Sequence, residues 1–156
     1  MPKIFRRGFT LIELLVVIGV LAILLTITLI AINPARQFSQ SNNTKRRSDV
    51  NAMLNAIHQY AADNKGVLPT GITTSALPIR QSAIPDPSTE ADICAALVPT
   101  YLAALPVDPL TNNGTAVTDC TVAYNTNYTV VKSATNNRIT VAAPAAELSE
   151  VISVTK

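Results

Sequence analysis

One carboxylate, Glu13, stands inside an otherwise apolar run that begins at Phe9 and continues to Ile32. A carboxylate near the centre of a membrane helix costs about 2.5–3.5 kcal/mol. Glu13 sits close to one end, where the cost is smaller, but a helix that only had to span would not need it. Its presence asks for a positively charged or hydrogen-bonding partner. Directly before the run comes Gly8, preceded by the cations Lys3, Arg6 and Arg7. Elsewhere, Cys94 and Cys120 could pair, Lys45-Arg46-Arg47 could hold an anion, and Asp108 with Asp119 could donate oxygens to a cation. His58 is the single histidine. No nucleophile elbow, zinc-binding H-E-x-x-H or glycine-rich phosphate loop is present, so no catalytic residue and no cofactor is assigned.

The element that must position Glu13 is a helix. About 20 consecutive apolar residues suffice to cross a bilayer. A secretory signal would have a shorter apolar core followed by a small-residue cleavage site, whereas this run is followed by Asn33-Pro34. The basic residues before the span keep the N-terminus on the cytoplasmic side and send the C-terminal bulk outward. The whole chain carries 12 Lys and Arg against 10 Asp and Glu; removing residues 1–8 takes three cations and no anions, leaving a net charge of −1. That balance does not describe a broadly basic nucleic-acid-binding domain.

The order Arg6-Arg7-Gly8, Phe9-Thr10-Leu11-Ile12-Glu13 and apolar helix resembles the signal of the type IV pilin and pseudopilin family. The resemblance implies that a prepilin peptidase cuts between Gly8 and Phe9 and that the new amine of Phe9 is methylated. It further implies that Glu13 is retained for assembly, meeting the Phe9 amine of a neighbouring subunit or of its own chain. The segment Leu105-Pro106-Val107-Asp108-Pro109 also resembles the turn that precedes the sheet in many pseudopilins. Major pseudopilins usually follow that turn with Trp-Gly and a calcium-binding loop, where this chain has Leu110-Thr111. Calcium favours several carboxylates among 6–8 oxygens, so Asp108 and Asp119 are weak calcium candidates. The alternative is a rigid turn fixed by Pro106 and Pro109, with Asp108 capping local amides.

Beyond the span, the expected fold is α+β: a long N-terminal helix, half membrane span and half amphipathic, packed on a small antiparallel sheet. Five segments follow: leader 1–8, span 9–32, amphipathic half 33–65, connecting region 66–105, and sheet with tail 106–156. Val50, Met53, Leu54, Ile57, Tyr60 and Ala61 recur at helical spacing, with Asp49, Asn51, Asn55, Gln59 and Asp63 on the other face. Asn64-Lys65-Gly66 ends the pattern. A kink or break is expected between Ile30 and Pro34, because proline removes a helical hydrogen bond; in the family the proline often stands where this chain has Ile30. Residues 66–92 hold four prolines and read as loop, and 91–98 as the body of a short helix. Residues 122–131 read as one or two strands broken at Asn125-Thr126-Asn127, and 128–133 with 138–142 as a hairpin. The tail 144–156 fits either a strand or a mobile end.

Two cysteines on the outer side of a membrane read as one disulfide, the alternative being two unpaired buried thiols. For Lys45-Arg46-Arg47 the two readings are a solvated or acid-facing helix surface and a contact for DNA or another anionic surface. With the family resemblance, the expected function is a structural subunit, not an enzyme. It would be a single-pass cytoplasmic-membrane protein before assembly and part of an extracellular type IV pilus afterwards, serving adhesion, motility or DNA uptake. Its partners would be copies of itself, the prepilin peptidase and the membrane assembly machinery. The alternatives are a pseudopilin of a type II secretion or competence system, and a membrane-anchored, DNA-binding or adhesive minor pilin.

Overall fold

A computed structural model describes residues 8–156. The leader residues 1–7, including Lys3, Arg6 and Arg7, lie outside the described residues. The chain divides into two compact units, residues 1–38 and 39–156.

In the first unit, α1 (Leu11–Ile32) is a 22-residue helix with no buried residue. Leu, Ile, Val and Ala surround its axis, so it has no polar face to give to water. Thr26 and Thr28 do not break this pattern, because their hydroxyls donate back to the carbonyls of Ala22 and Leu25. The helix stops at Asn33, which takes a left-handed conformation (φ 45°). Pro34 then opens α2 (Pro34–Asp63), where its missing N–H belongs to a group with no helical acceptor anyway. The expected break therefore lies at Asn33, and the single rod of the sequence reading is two helices.

The second unit holds most of α2, a four-stranded antiparallel sheet in the order β1-β2-β3-β4, and a one-turn α3 (Cys94–Leu97). The strands are β1 (Leu77–Gln81), β2 (Tyr124–Lys132), β3 (Ile139–Ala143) and β4 (Ile152–Thr155). Val50, Met53, Leu54 and Ile57 of α2 are fully buried in one cluster with Ile79, Tyr128, Val130, Ile139 and Val141 of the sheet. Alternation in β2 and β3 turns every second side chain into that core. α2 ends as expected: Lys65 and Gly66 take positive φ (58° and 86°), and the Gly66 N–H donates to the Ala61 carbonyl at 2.7 Å.

Three expectations need correction, and the open choice for the tail is resolved as a strand. The proline-rich stretch contains β1, which tolerates Pro78 because it lies at the edge of the sheet, where a missing donor costs no ladder bond. Asn125-Thr126-Asn127 does not break β2; the register shifts opposite Ile79, Asn127 takes φ 61°, and the strand continues. The helix expected over 91–98 shrinks to one turn, since Ala91 instead bridges to Ile79. The tail becomes β4, paired with β3 from Thr140–Thr155 to Ala143–Ile152.

Candidate functional site

At the head of α1, Gly8 and Phe9 are exposed and precede the helix. Thr10 is the N-cap and Glu13 the third helical residue, and together they close a reciprocal capping box. Glu13 accepts from the Thr10 N–H at 2.8 Å and from its hydroxyl at 2.7 Å, and the Thr10 Oγ1 accepts from the Glu13 N–H at 3.3 Å. The carboxylate also sits where the helix dipole favours negative charge. Thus the one anion of the apolar segment has local partners, and Phe9, 82% exposed, has none covering it.

The basic cluster of α2 lies in the second unit and is engaged within its own chain. Arg46 has no exposed side-chain surface; its Nε donates to Asp108 Oδ2 at 2.6 Å and its Nη2 to Asp108 Oδ1 at 3.2 Å. Its Nη1 donates to Glu147 Oε2 at 2.8 Å and to Asn43 Oδ1 at 3.0 Å. A planar guanidinium suits this fork, and a lysine could not make it. Burial works against the Arg46 charge, but the bonds from Asp108 and Glu147 outweigh it and hold its pKa above the ordinary value. Hydrogen bonds from Arg46, Asn42 and Ser39 push the Glu147 carboxyl down to about 2. Lys45 donates to Asp49 at 2.7 Å and to the Val107 carbonyl at 3.2 Å, and Arg47 pairs with Glu150.

These contacts bear on both readings of the basic cluster. Arg46 is not available to DNA or any external anion, because it is buried and its donors are spent on Asp108, Glu147 and Asn43. The acid-facing reading of this surface is the one found, since Lys45 pairs with Asp49 and Arg47 with Glu150; Asp49, placed on the polar face by its spacing, is nearly buried and accepts from the Tyr128 hydroxyl at 2.8 Å. Burial, then that bond to Asp49, raises the Tyr128 pKa. Lys45 and Arg47 keep partial exposure, with side chains 43% and 53% accessible.

The calcium candidates are separated in role. Asp108 is fully buried and holds Arg46, while its Oδ1 also accepts from the Leu110 N–H at 2.9 Å. Asp119 accepts from the backbone and hydroxyl of Thr121 at 2.9 and 2.6 Å. Among the described residues, no group of three or more His, Cys, Asp or Glu side chains could hold a metal ion. Both oxygens of Asp108 are engaged by Arg46. Cys94 and Cys120 form a disulfide with Cα atoms 5.4 Å apart, tying α3 to the start of the strand region.

Two parts of this arrangement escaped the sequence. Glu147 and Glu150 looked like ordinary tail residues, yet both anchor the tail to α2. Thr10 carried no role beyond its place in the signal, although a threonine three residues before a glutamate is a capping-box signature.

A single carboxylate-capped apolar helix, followed by a small α+β unit built around the continuation of that helix, defines a class of membrane-anchored N-terminal-methylation proteins. A family model described as the prokaryotic N-terminal methylation motif matches residues 5–29. The chain is also 33% identical over 112 residues to type II secretion system core protein G of Aeromonas hydrophila, an alignment covering 72% of this chain and 73% of that protein. No solved structure shows a significant match. The chain belongs to the type IV pilin and pseudopilin family, whose members are structural proteins that assemble into filaments.

Proposed function

We propose that this chain is the repeating structural subunit of a type IV pilus. It inserts in the cytoplasmic membrane with its N-terminus inside, is cut between Gly8 and Phe9 by a prepilin peptidase, and is methylated on the Phe9 amine. It then polymerises through α1 with the membrane assembly machinery into an extracellular filament for adhesion, motility or DNA uptake. The observation that carries this reading is α1 itself: 22 residues, none buried, apolar on every side, with one carboxylate in the first turn. Lipid can cover such a helix before assembly, and copies of the same helix can cover it afterwards. The amine that cleavage creates at Phe9, on a neighbouring copy or on its own chain, gives Glu13 a charged partner. By segment, 1–8 is the removed leader, 9–32 the anchor and filament core, and 33–156 the exported part.

A second reading has its own support. The 33% identity to a type II secretion system core protein favours a pseudopilin, whose filament would serve secretion instead of forming a surface pilus. The Arg46-filled turn at Asp108 favours the pilus, since the resemblance would place a calcium loop there in a major pseudopilin. Shearing cells and identifying the protein of the released filaments separates the two. Abundant surface filaments made of this chain support the pilus. Their absence, together with loss of protein secretion when the chain is deleted, would support the pseudopilin instead.

A further inference from the structure

The loop between Pro109 and Val117 carries a chemically labile bond that its own geometry demands. Asn112, Asn113 and Gly114 form a short 3-10 turn, and all three take left-handed backbone, with φ of 48°, 53° and 67°. Asparagine enters that region more readily than most residues. Position 114 favours glycine on two counts. A Cβ built there would stand 3.3 Å from the Pro109 Cα, closer than ordinary contact, and the positive φ would strain any other side chain. The same missing side chain leaves the Gly114 peptide nitrogen unhindered on its way to the Asn113 carboxamide.

Asn113 is exposed, and its side chain joins none of the side-chain hydrogen bonds among the described residues. It also heads the single Asn-Gly pair of the sequence. The other asparagines are each hindered. Asn33 precedes Pro34, which has no N–H to give up. Those of α2 are followed by amides held in the helix, and Asn42, Asn43 and Asn51 donate their own carboxamides as well. Asn64 donates to the Tyr60 carbonyl at 2.8 Å. Every remaining asparagine, Asn112 included, is followed by a residue with a Cβ.

We propose that Asn113 is a site of spontaneous deamidation, by which each copy of the chain records its age. The Gly114 nitrogen attacks Asn113 Cγ, the bond from Cγ to Nδ2 breaks, and the proton of the Gly114 N–H leaves with Nδ2 as ammonia. Water then opens the cyclic imide. Opening at Cγ leaves aspartate, and opening at the main-chain carbonyl of residue 113 leaves isoaspartate, whose chain runs through Cβ and Cγ. Attack requires the Gly114 N–H to release the Thr111 carbonyl, which it holds at 2.9 Å, and the Asn113 backbone to leave its ψ of 27°. The folded chain therefore reacts more slowly than the same segment unfolded. The two products treat the turn differently. Aspartate tolerates left-handed backbone as asparagine does, so the turn survives with one added negative charge. Isoaspartate puts an extra atom into the main chain, inside the rings closed by Gly114 to Thr111 and by Thr115 to Asn112 at 2.9 and 3.0 Å, and both rings must reshape. The inference holds for a pilus subunit and for a secretion subunit alike.

The test uses the full-length protein purified in detergent and held at mildly alkaline pH. Samples are digested under acidic conditions, where ring closure is slow, and read by mass spectrometry. The peptide containing Asn113 should gain the mass difference between a hydroxyl and an amino group and split into two species of equal mass. Fragmentation should place the change on residue 113 before any other asparagine changes, and an isoaspartyl methyltransferase should label one of the two species. The reduced, unfolded chain should convert faster, which sets the length of the incubation. An unchanged residue 113 in the folded protein when the unfolded chain has fully converted would overturn the proposal, as would earlier conversion of another asparagine. Asn113→Gln moves the carboxamide one carbon away from the Gly114 nitrogen and should abolish the change; the same mass gain at the unaltered chain's rate would place the reaction elsewhere and overturn it too.

Discussion

The apolar helix and the α+β unit treat apolar surface in opposite ways. In α1 every large hydrophobic residue is more than half exposed, from Val17 at 51% to Leu11 at 81%. In the second unit, residues of the same types drop to zero exposure around Val50, Leu54 and Tyr128. One region leaves its apolar surface for lipid or other copies to cover under the proposed function, and the other covers its own. Their polar groups follow the same division. The anion of α1 is satisfied by a threonine three residues away and is left able to exchange that partner. The buried arginine of α2 is satisfied by groups 62 and 101 residues away and has nothing left to offer. A region that must change environment keeps its charges locally and loosely held, whereas a region that must keep its shape locks them over long range.

Variants that strike one region and spare the other test this division. The largest effect is expected at Glu13. Glu13→Ala should leave insertion, cleavage at Gly8 and the fold of residues 39–156 intact while filament yield collapses. Glu13→Gln, which keeps size and loses charge, should show most of the same defect, read as sheared filament per unit of membrane subunit. Arg46→Ala should do the reverse. It strands the fully buried Asp108 carboxylate, a loss typically worth about 3–5 kcal/mol, so the Tm of the exported part should drop steeply while membrane insertion proceeds.

How much of this was legible in the sequence divides along the same line. The span, its carboxylate and its glycine boundary are local patterns, and they could be read residue by residue. The break at Asn33 and the Gly66 stop were also local, as were the core positions of α2. Arg46 could not be read correctly, because nothing near it in the chain announces Asp108 or Glu147. β1 was hidden by Pro78, which is harmless only at a sheet edge, and edge position is a property of the whole sheet. The Cys94–Cys120 pair was readable because cysteines have few alternatives, whereas glutamates in a polar tail have many.

Smaller effects sharpen the picture of the second unit. Reducing the disulfide opens a link across a separation of 26 residues, worth about 3–4 kcal/mol in the chain-entropy model. Tm should fall without change in membrane insertion, and thiol labelling of the folded, unreduced protein should find neither cysteine. Glu147 gives the mildest signature. Its pKa is lowered from 4.5 to about 2, so the stability it contributes is present above its unfolded value and is lost as pH falls through that interval. Acid unfolding between those two values should be steeper in the native chain than in Glu147→Gln, which has no carboxylate to protonate.

The intact mass of the protein recovered from the membrane or from sheared filaments bears most directly on the division between a helix that changes environment and a domain that does not. The expected mass is that of residues 9–156 with the Cys94–Cys120 disulfide and one added methyl, which fragmentation places on the Phe9 amine. A mature protein that still begins at Met1, or one that begins after Ile32 and so lacks α1, would contradict the proposed processing and the role given to the apolar helix.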